Sequence, residues 1–235
     1  MSTRSQYADD LRARPPATWP DYLTRHSGLP GPRANLELIR AVVDVGDRRI
    51  FDDLISTDDE YLTCCGVAGL GAILAQAPGA EIEALLRRHA TDARWRIRES
   101  VAMALQRLGD ADLDRLAALA RDWSRDPHPL VQRAAAAGIC EPRLLTTPEM
   151  AAAAVAVCQI ATDALAALPA GRRRDDDVRT LRQGLGYCWS VAVAADPAGL
   201  PAFLALTRSD DPDVGWINRE NRKKKRLSAL LASAE

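Results

Sequence analysis

The chain has 235 residues, 47% of them hydrophobic and 27% charged, and its 31 Lys and Arg against 32 Asp and Glu leave a formal charge of −1. That balance gives enough apolar surface for a core and excludes intrinsic disorder. No uncharged apolar run of about 20 residues and no apolar stretch after Met1 mark a spanning helix or a secretory leader, so a cytoplasmic protein without membrane contact is expected. Aromatic residues are only 5%, which implies an aliphatic, alanine-rich core. The five cysteines (Cys64, Cys65, Cys140, Cys158 and Cys188) form no C-x-x-C pair and stand in apolar stretches. Buried free thiols are therefore expected, with neither a disulfide framework nor a zinc site.

Residues 1–33 carry Pro15, Pro16, Pro20, Pro30 and Pro32 and read as an N-terminal extension, packed as a cap through Trp19 and Tyr22. A disordered tail is the alternative for residues 1 to about 15. Asn35 then opens a helix pair, Leu36 to Val45 and Arg48 to Leu54. Asp58, Asp92 and Asp126 follow at 34-residue spacing. Each precedes a helical segment (Tyr61 to Leu74, Trp95 to Leu108, Leu130 to about Ile139), and each is placed as an N-cap accepting from the first free amides. In the first of these segments Gly66-Val67-Ala68-Gly69-Leu70-Gly71 has the spacing G-x-x-G-x-G with no strand before it. It reads as close helix packing through small residues, not as a dinucleotide loop. In the second, Ile97, Val101, Ala104, Leu105 and Leu108 make one helical stripe, ended at Gly109-Asp110, and Leu113, Leu116, Leu119 and Ala120 begin another. An alanine-rich helix from about Pro148 to Leu168 and a linker, Pro169 to Arg174, stretch the period. Asp177 marks a weaker cap, and Asp213 heads the last helix. Arg172-Arg173-Arg174-Asp175-Asp176-Asp177 reads as a solvated loop whose opposite charges cancel.

Helical hairpins at fixed period predict a solenoid spanning 34–235, in which each hairpin buries its stripe on its neighbours. The Trp-Leu-Gly-Tyr signature of tetratricopeptide repeats is absent. Residues Ile97 to Ala111, IRESVAMALQRLGDA, instead resemble a HEAT-like repeat of the phycobilisome-lyase type, V-R-x-x-A-x-x-A-L-x-x-L-G-D, and Leu130 to Gly138 give a partial second match. This resemblance implies an all-α, right-handed α-α superhelix of five to six hairpins. The repeat specifies an architecture and carries no activity by itself. It also admits a lyase-like chaperone for a bilin chromophore, which would need a chromophore-sized pocket.

The candidate chemistry is sparse. His26, His89 and His128 have no partner at ligand spacing, so neither a metal nor a cofactor is expected. A tryptophan followed four residues later by a carboxylate occurs twice, Trp95 with Glu99 and Trp216 with Glu220, with Arg98 and Arg219 between them. Measured from Ile97, Trp95 falls at about 160° and Glu99 at about 200° around the helix. Both point away from the hairpin core, either to an adjacent repeat or to the groove. The pattern is similar to that of HEAT-like alkylpurine DNA glycosylases. That resemblance implies an alternative enzyme in which Glu99 stabilises positive charge, Trp95 and Trp189 hold the base and Arg133 positions a phosphate. Glu replaces the family's Asp at 99, and the chain is not basic overall. Arg222, Lys223, Lys224, Lys225 and Arg226 form a basic run, read either as a phosphate- or acid-binding patch or as the cation-stabilised end of the last helix.

The expected function is therefore a non-catalytic curved surface for a protein partner or a nucleic acid. Trp95, Arg98, Glu99, Gln106 and Arg133 are its face, with Trp189, Trp216 and the basic residues Arg222, Lys223, Lys224 and Lys225 as further binding candidates.

Overall fold

The computed structural model describes residues 2–232. These form fourteen α-helices and five short 3-10 segments, with no strand among the described residues. The chain is all-α, as its periodicity predicts. It divides into two compact units, within Met1–Leu108 and Gly109–Glu235.

The first unit contains α1 (Thr3–Arg12), α2 (Trp19–His26), α3 (Leu36–Val45), α4 (Arg48–Ser56), α5 (Glu60–Gln76), α6 (Ala80–His89) and most of α7 (Trp95–Ala111). The proline-rich lead is helical and packed, with α1 on α3 and α2 on α5. Arg4 grips Asp44 with two hydrogen bonds of 2.6 Å. Trp19 and Tyr22 are buried, and the Tyr22 hydroxyl donates to Asp10 at 2.8 Å. Burial and then the Asp10 carboxylate push that phenol up to about 12. Helix α5 is buried over nearly its whole circumference. Its glycines explain how: a side chain at Gly66 or Gly69 would collide with Phe51 and Ile55 of α4 or the Phe51 ring, and one at Gly71 with the backbone of Ala104 in α7. The glycine-rich run is a packing surface, as its lack of a preceding strand implies.

The second unit contains α8 (Leu113–Trp123), α9 (Pro129–Ile139), α10 (Pro148–Ala166), α11 (Asp176–Ala195), α12 (Leu200–Ala205), α13 (Pro212–Arg222) and α14 (Lys225–Ala232). Helix α11 is its hub and packs on α9, α10, α13 and α14. Leu181, Leu185, Cys188, Trp189, Ala192 and Val193 are all buried along it. Helix α10 is 19 residues long with a mean hydropathy of 1.4, enough by length and composition to cross a membrane, yet 56% of it is buried inside the unit. Its two acids, Glu149 and Asp163, lie near its ends. Such an apolar helix is what a core element contacted by α8, α9 and α11 requires.

Several caps differ from the sequence expectation. Asp59, not Asp58, caps α5, accepting from Tyr61 and Leu62 at 2.9 Å, while Asp58 takes a positive φ of 56°. Asp211, not Asp213, caps α13. Asp177 lies inside the first turn of α11. At α5 and α13 neighbouring acids compete for the cap, and the one in extended backbone just before the turn takes it. Helix α9 is capped by His128, with Asp126 accepting from the His128 amide in the loop instead, and at α11 no side chain caps. The Arg172–Asp177 block is also not all solvated. Arg173 has only 18% of its side chain exposed and reaches Asp211, Asp213 and the carbonyls of Ala166 and Leu168. The fourteen helices exceed five to six hairpins because the lead contributes α1 and α2, and the last expected helix breaks into α13 and α14.

Candidate functional site

In the first unit the start of α7 is built by its preceding loop. The Asp92 carboxylate accepts from the Arg94 amide at 2.8 Å and pairs with its guanidinium. Burial pushes the Asp92 carboxyl up, but the Arg94 hydrogen bonds outweigh it and hold it below the ordinary value. Arg98 turns back to donate to the carbonyls of Asp92 and Ala93, at 2.7 and 2.9 Å. Gln132 does the same for Asp126 at 2.6 Å, so this position six residues after the loop aspartate has a repeated structural use. Trp95 is different. It is 52% exposed, with the Arg96 guanidinium 4.8 Å from its ring centre. Arg96 in turn donates to Glu60 at 3.1 Å. The indole is thus exposed and held, an arrangement that loses little freedom when a partner covers it. Glu99 and Gln106 lie farther along α7, partly buried and engaged by neighbours.

In the second unit Trp189 is fully buried. Its indole N–H donates to Thr162 Oγ1 of α10 at 2.9 Å, and its ring lies 5.9 Å from that of Phe203. This corrects the expectation that Trp189 binds a ligand: it is the core residue joining α11 to α10. In Gly186-Tyr187-Cys188-Trp189 the surface residue is Tyr187, 44% exposed and two positions away, on the other side of the helix. Trp216 is half-buried because α11 presents Gly186 to it. A Cβ there would stand 2.7 Å from the indole, and Arg182 covers the ring at 4.8 Å. Arg133 is likewise laid along Gly184 of α11.

The basic run occupies the turn between α13 and α14 instead of ending a final helix. Lys223 pairs with Glu220 at 2.6 Å, and Arg222 donates to Asn218 at 3.0 Å. Lys224 and Arg226 lie 5.6 and 5.0 Å from the Tyr187 ring centre, and Arg226 donates to the Tyr187 hydroxyl at 2.9 Å.

The remaining titratable groups have structural surroundings. His26 lies tilted against the Tyr22 ring, burial holds His89 below its ordinary value, and His128 caps α9 through Nδ1. All five cysteines are free and buried, with Cys140 and Cys158 3.6 Å apart. Burial raises Cys64 to about 11, so it is a poor nucleophile at neutral pH. Among the described residues no group of three His, Cys, Asp or Glu is arranged to hold a metal ion. An open groove of about 750 Å³ runs between the start of α8 and the start of α10, lined by Asp110, Asp112, Asp114 and Glu149, with Arg143 paired to Asp110. Its sequence signal is the alternation of acids at 110, 112 and 114. Two of its polar residues, Asp112 and Thr147, are already used as helix caps.

No family model matches the chain, and no curated protein matches it. A crystal structure described as that of an engineered protein aligns with 98% of this chain and 98% of its own, at 17% identity and a TM-score of 0.40. A likeness this weak bears on neither fold nor function.

Proposed function

We propose that this is a non-catalytic, HEAT-like helical-repeat protein that binds a protein partner, with Trp95 as the anchor. The observation that carries the reading is the indole's exposure, 52%, in a chain whose tryptophans at 19, 123 and 189 are exposed by 3% or less. Large apolar side chains left in water are costly unless something covers them. Tryptophan is enriched where interfaces draw most of their binding energy. The Arg96 stack and its tie to Glu60 hold the ring in place before binding. A HEAT-like assignment is supported by the Ile97 to Ala111 repeat and by the shared use of Arg98 and Gln132 as donors to the loop before each helix.

The test is affinity capture by the full chain beside its Trp95→Ala variant, followed by reconstitution of the captured protein in pure form. One partner that binds the wild type directly and loses at least tenfold in affinity with the variant supports the reading. Base-excision assays on alkylated DNA run in parallel. Release of free alkylated purine, abolished by Glu99→Gln, would replace this reading with the glycosylase one.

A further inference from the structure

We propose that the turn between α13 and α14, together with Tyr187 of α11, is a binding site for single-stranded nucleic acid. It lies in the second unit and does not rest on the Trp95 reading.

The chain uses lysine three times, and all three, Lys223, Lys224 and Lys225, stand in a row between Arg222 and Arg226. In a protein of formal charge −1 this is a local concentration of positive charge, not a general basicity. Neighbouring cations repel, so the run is unfavourable for folding unless acids compensate it. Among the described residues only Lys223 has one, Glu220. Arg222 is bound to a neutral amide, Lys225 is exposed, and Lys224 and Arg226 converge on an exposed aromatic ring. Among the described residues no carboxylate pairs with these four.

The run is also rigidly mounted. Asn221, immediately before it, is fully buried. Its amide donates to the carbonyls of Leu185 and Ile217 at 2.8 Å, and its oxygen accepts from the Ser190 amide at 2.8 Å. One side chain thereby fixes the turn to the α11 backbone on both sides of Tyr187. Leu227, fully buried, secures the far side. A charge run that served only solubility would need no such mount. Held cations with an exposed ring are the elements of single-strand recognition: Lys and Arg displace counterions from phosphates, and the ring stacks on a base whatever its identity. A duplex would leave the ring without a base. A lipid surface is disfavoured because none of the large apolar residues that follow, Leu227, Leu230 and Leu231, is fully exposed for insertion.

The experiment is fluorescence anisotropy of a labelled oligo-dT of about 15 nucleotides with the full chain, from about 25 to 200 mM salt. The four uncompensated cations reach about three phosphates, so the expected log–log slope is about −2. Lys224→Glu with Lys225→Glu, both at surface positions, weakens binding more than tenfold while the helical circular dichroism is unchanged. Tyr187→Ala weakens it about fivefold or more, and Tyr187→Phe, which keeps the ring, weakens it less. Trp95→Ala leaves it unaltered. The proposal is overturned by no binding at the lowest salt, by binding indifferent to the charge reversal, by equal competition from poly-glutamate or by loss of binding in Trp95→Ala.

Discussion

The same short pattern, a tryptophan with an arginine three residues on and a glutamate four on, opens α7 and lies early in α13, and the two copies end differently. Trp95 stands in solvent under Arg96 of its own helix, whereas Trp216 lies on Gly186 of α11 under Arg182 of that helix. Arg98 is folded back onto its loop, and Arg219 points outward. Glu220 holds a lysine of the basic turn. Local sequence therefore fixes the side of the helix on which an indole emerges, and the neighbouring helix decides whether it is covered. Where that neighbour offers a glycine, the indole packs.

The largest test of this contrast uses the indole at its buried extreme. Trp189→Ala should destabilise the protein by about 3–5 kcal/mol, because it removes a full aromatic volume and leaves Thr162 facing a cavity. Chemical denaturation measures it, and a loss below about 1 kcal/mol would mean that Trp189 is not in the core. Next, Asn221→Ala removes three buried hydrogen bonds, to the Ser190 amide and to the Leu185 and Ile217 carbonyls, and leaves a small cavity between α13 and α11. A cost of about 1–3 kcal/mol is expected, with faster amide exchange around Ser190. Gly186→Val should displace the Trp216 ring at a similar cost of about 1–3 kcal/mol. It would shift that indole's emission to the red and make Trp216 resemble Trp95. An unchanged spectrum would break the account of Trp216.

A smaller effect is expected from pH. The Arg173 guanidinium holds the Asp211 carboxyl below its ordinary 3.8. A carboxyl lowered on folding contributes its full stability above 3.8 and loses it as pH falls through the lower folded value. Wild type should therefore lose more stability than Asp211→Asn between about pH 4 and 2, since the amide still caps α13 but carries no charge. Parallel curves would contradict this. The smallest stability effect belongs to Trp95→Ala, within about 0.5 kcal/mol, because the ring is mostly in water.

The helices were legible in the sequence because apolar spacing reports directly on which face is buried. The Ile97 stripe is buried at all five of its positions, and the glycine run of α5 packs closely for the reason its context suggests. Boundaries and caps were less legible where acids stand side by side, as at Asp58-Asp59 and at Asp211 and Asp213, because both residues suit a cap and only backbone conformation chooses. Site residues were least legible. Trp189 and Tyr187 differ by two positions, and which faces solvent depends on the direction from which α10 packs on α11. Likewise the polar Asn221 beside the basic run suggests a specialised face or a hydrogen bond to a neighbouring inter-repeat turn, but its partner is the backbone of α11, in a contact between residues 36 positions apart that nothing local shows.

The most direct test of the central claim is site-specific photo-crosslinking in the intact cell, with a benzophenone side chain at position 95 in one variant and at position 216 in another. The account expects one discrete protein adduct from position 95 and none of that mass from position 216. No adduct at 95, or the same adduct from both positions, would contradict Trp95 as the anchor of a protein-binding face.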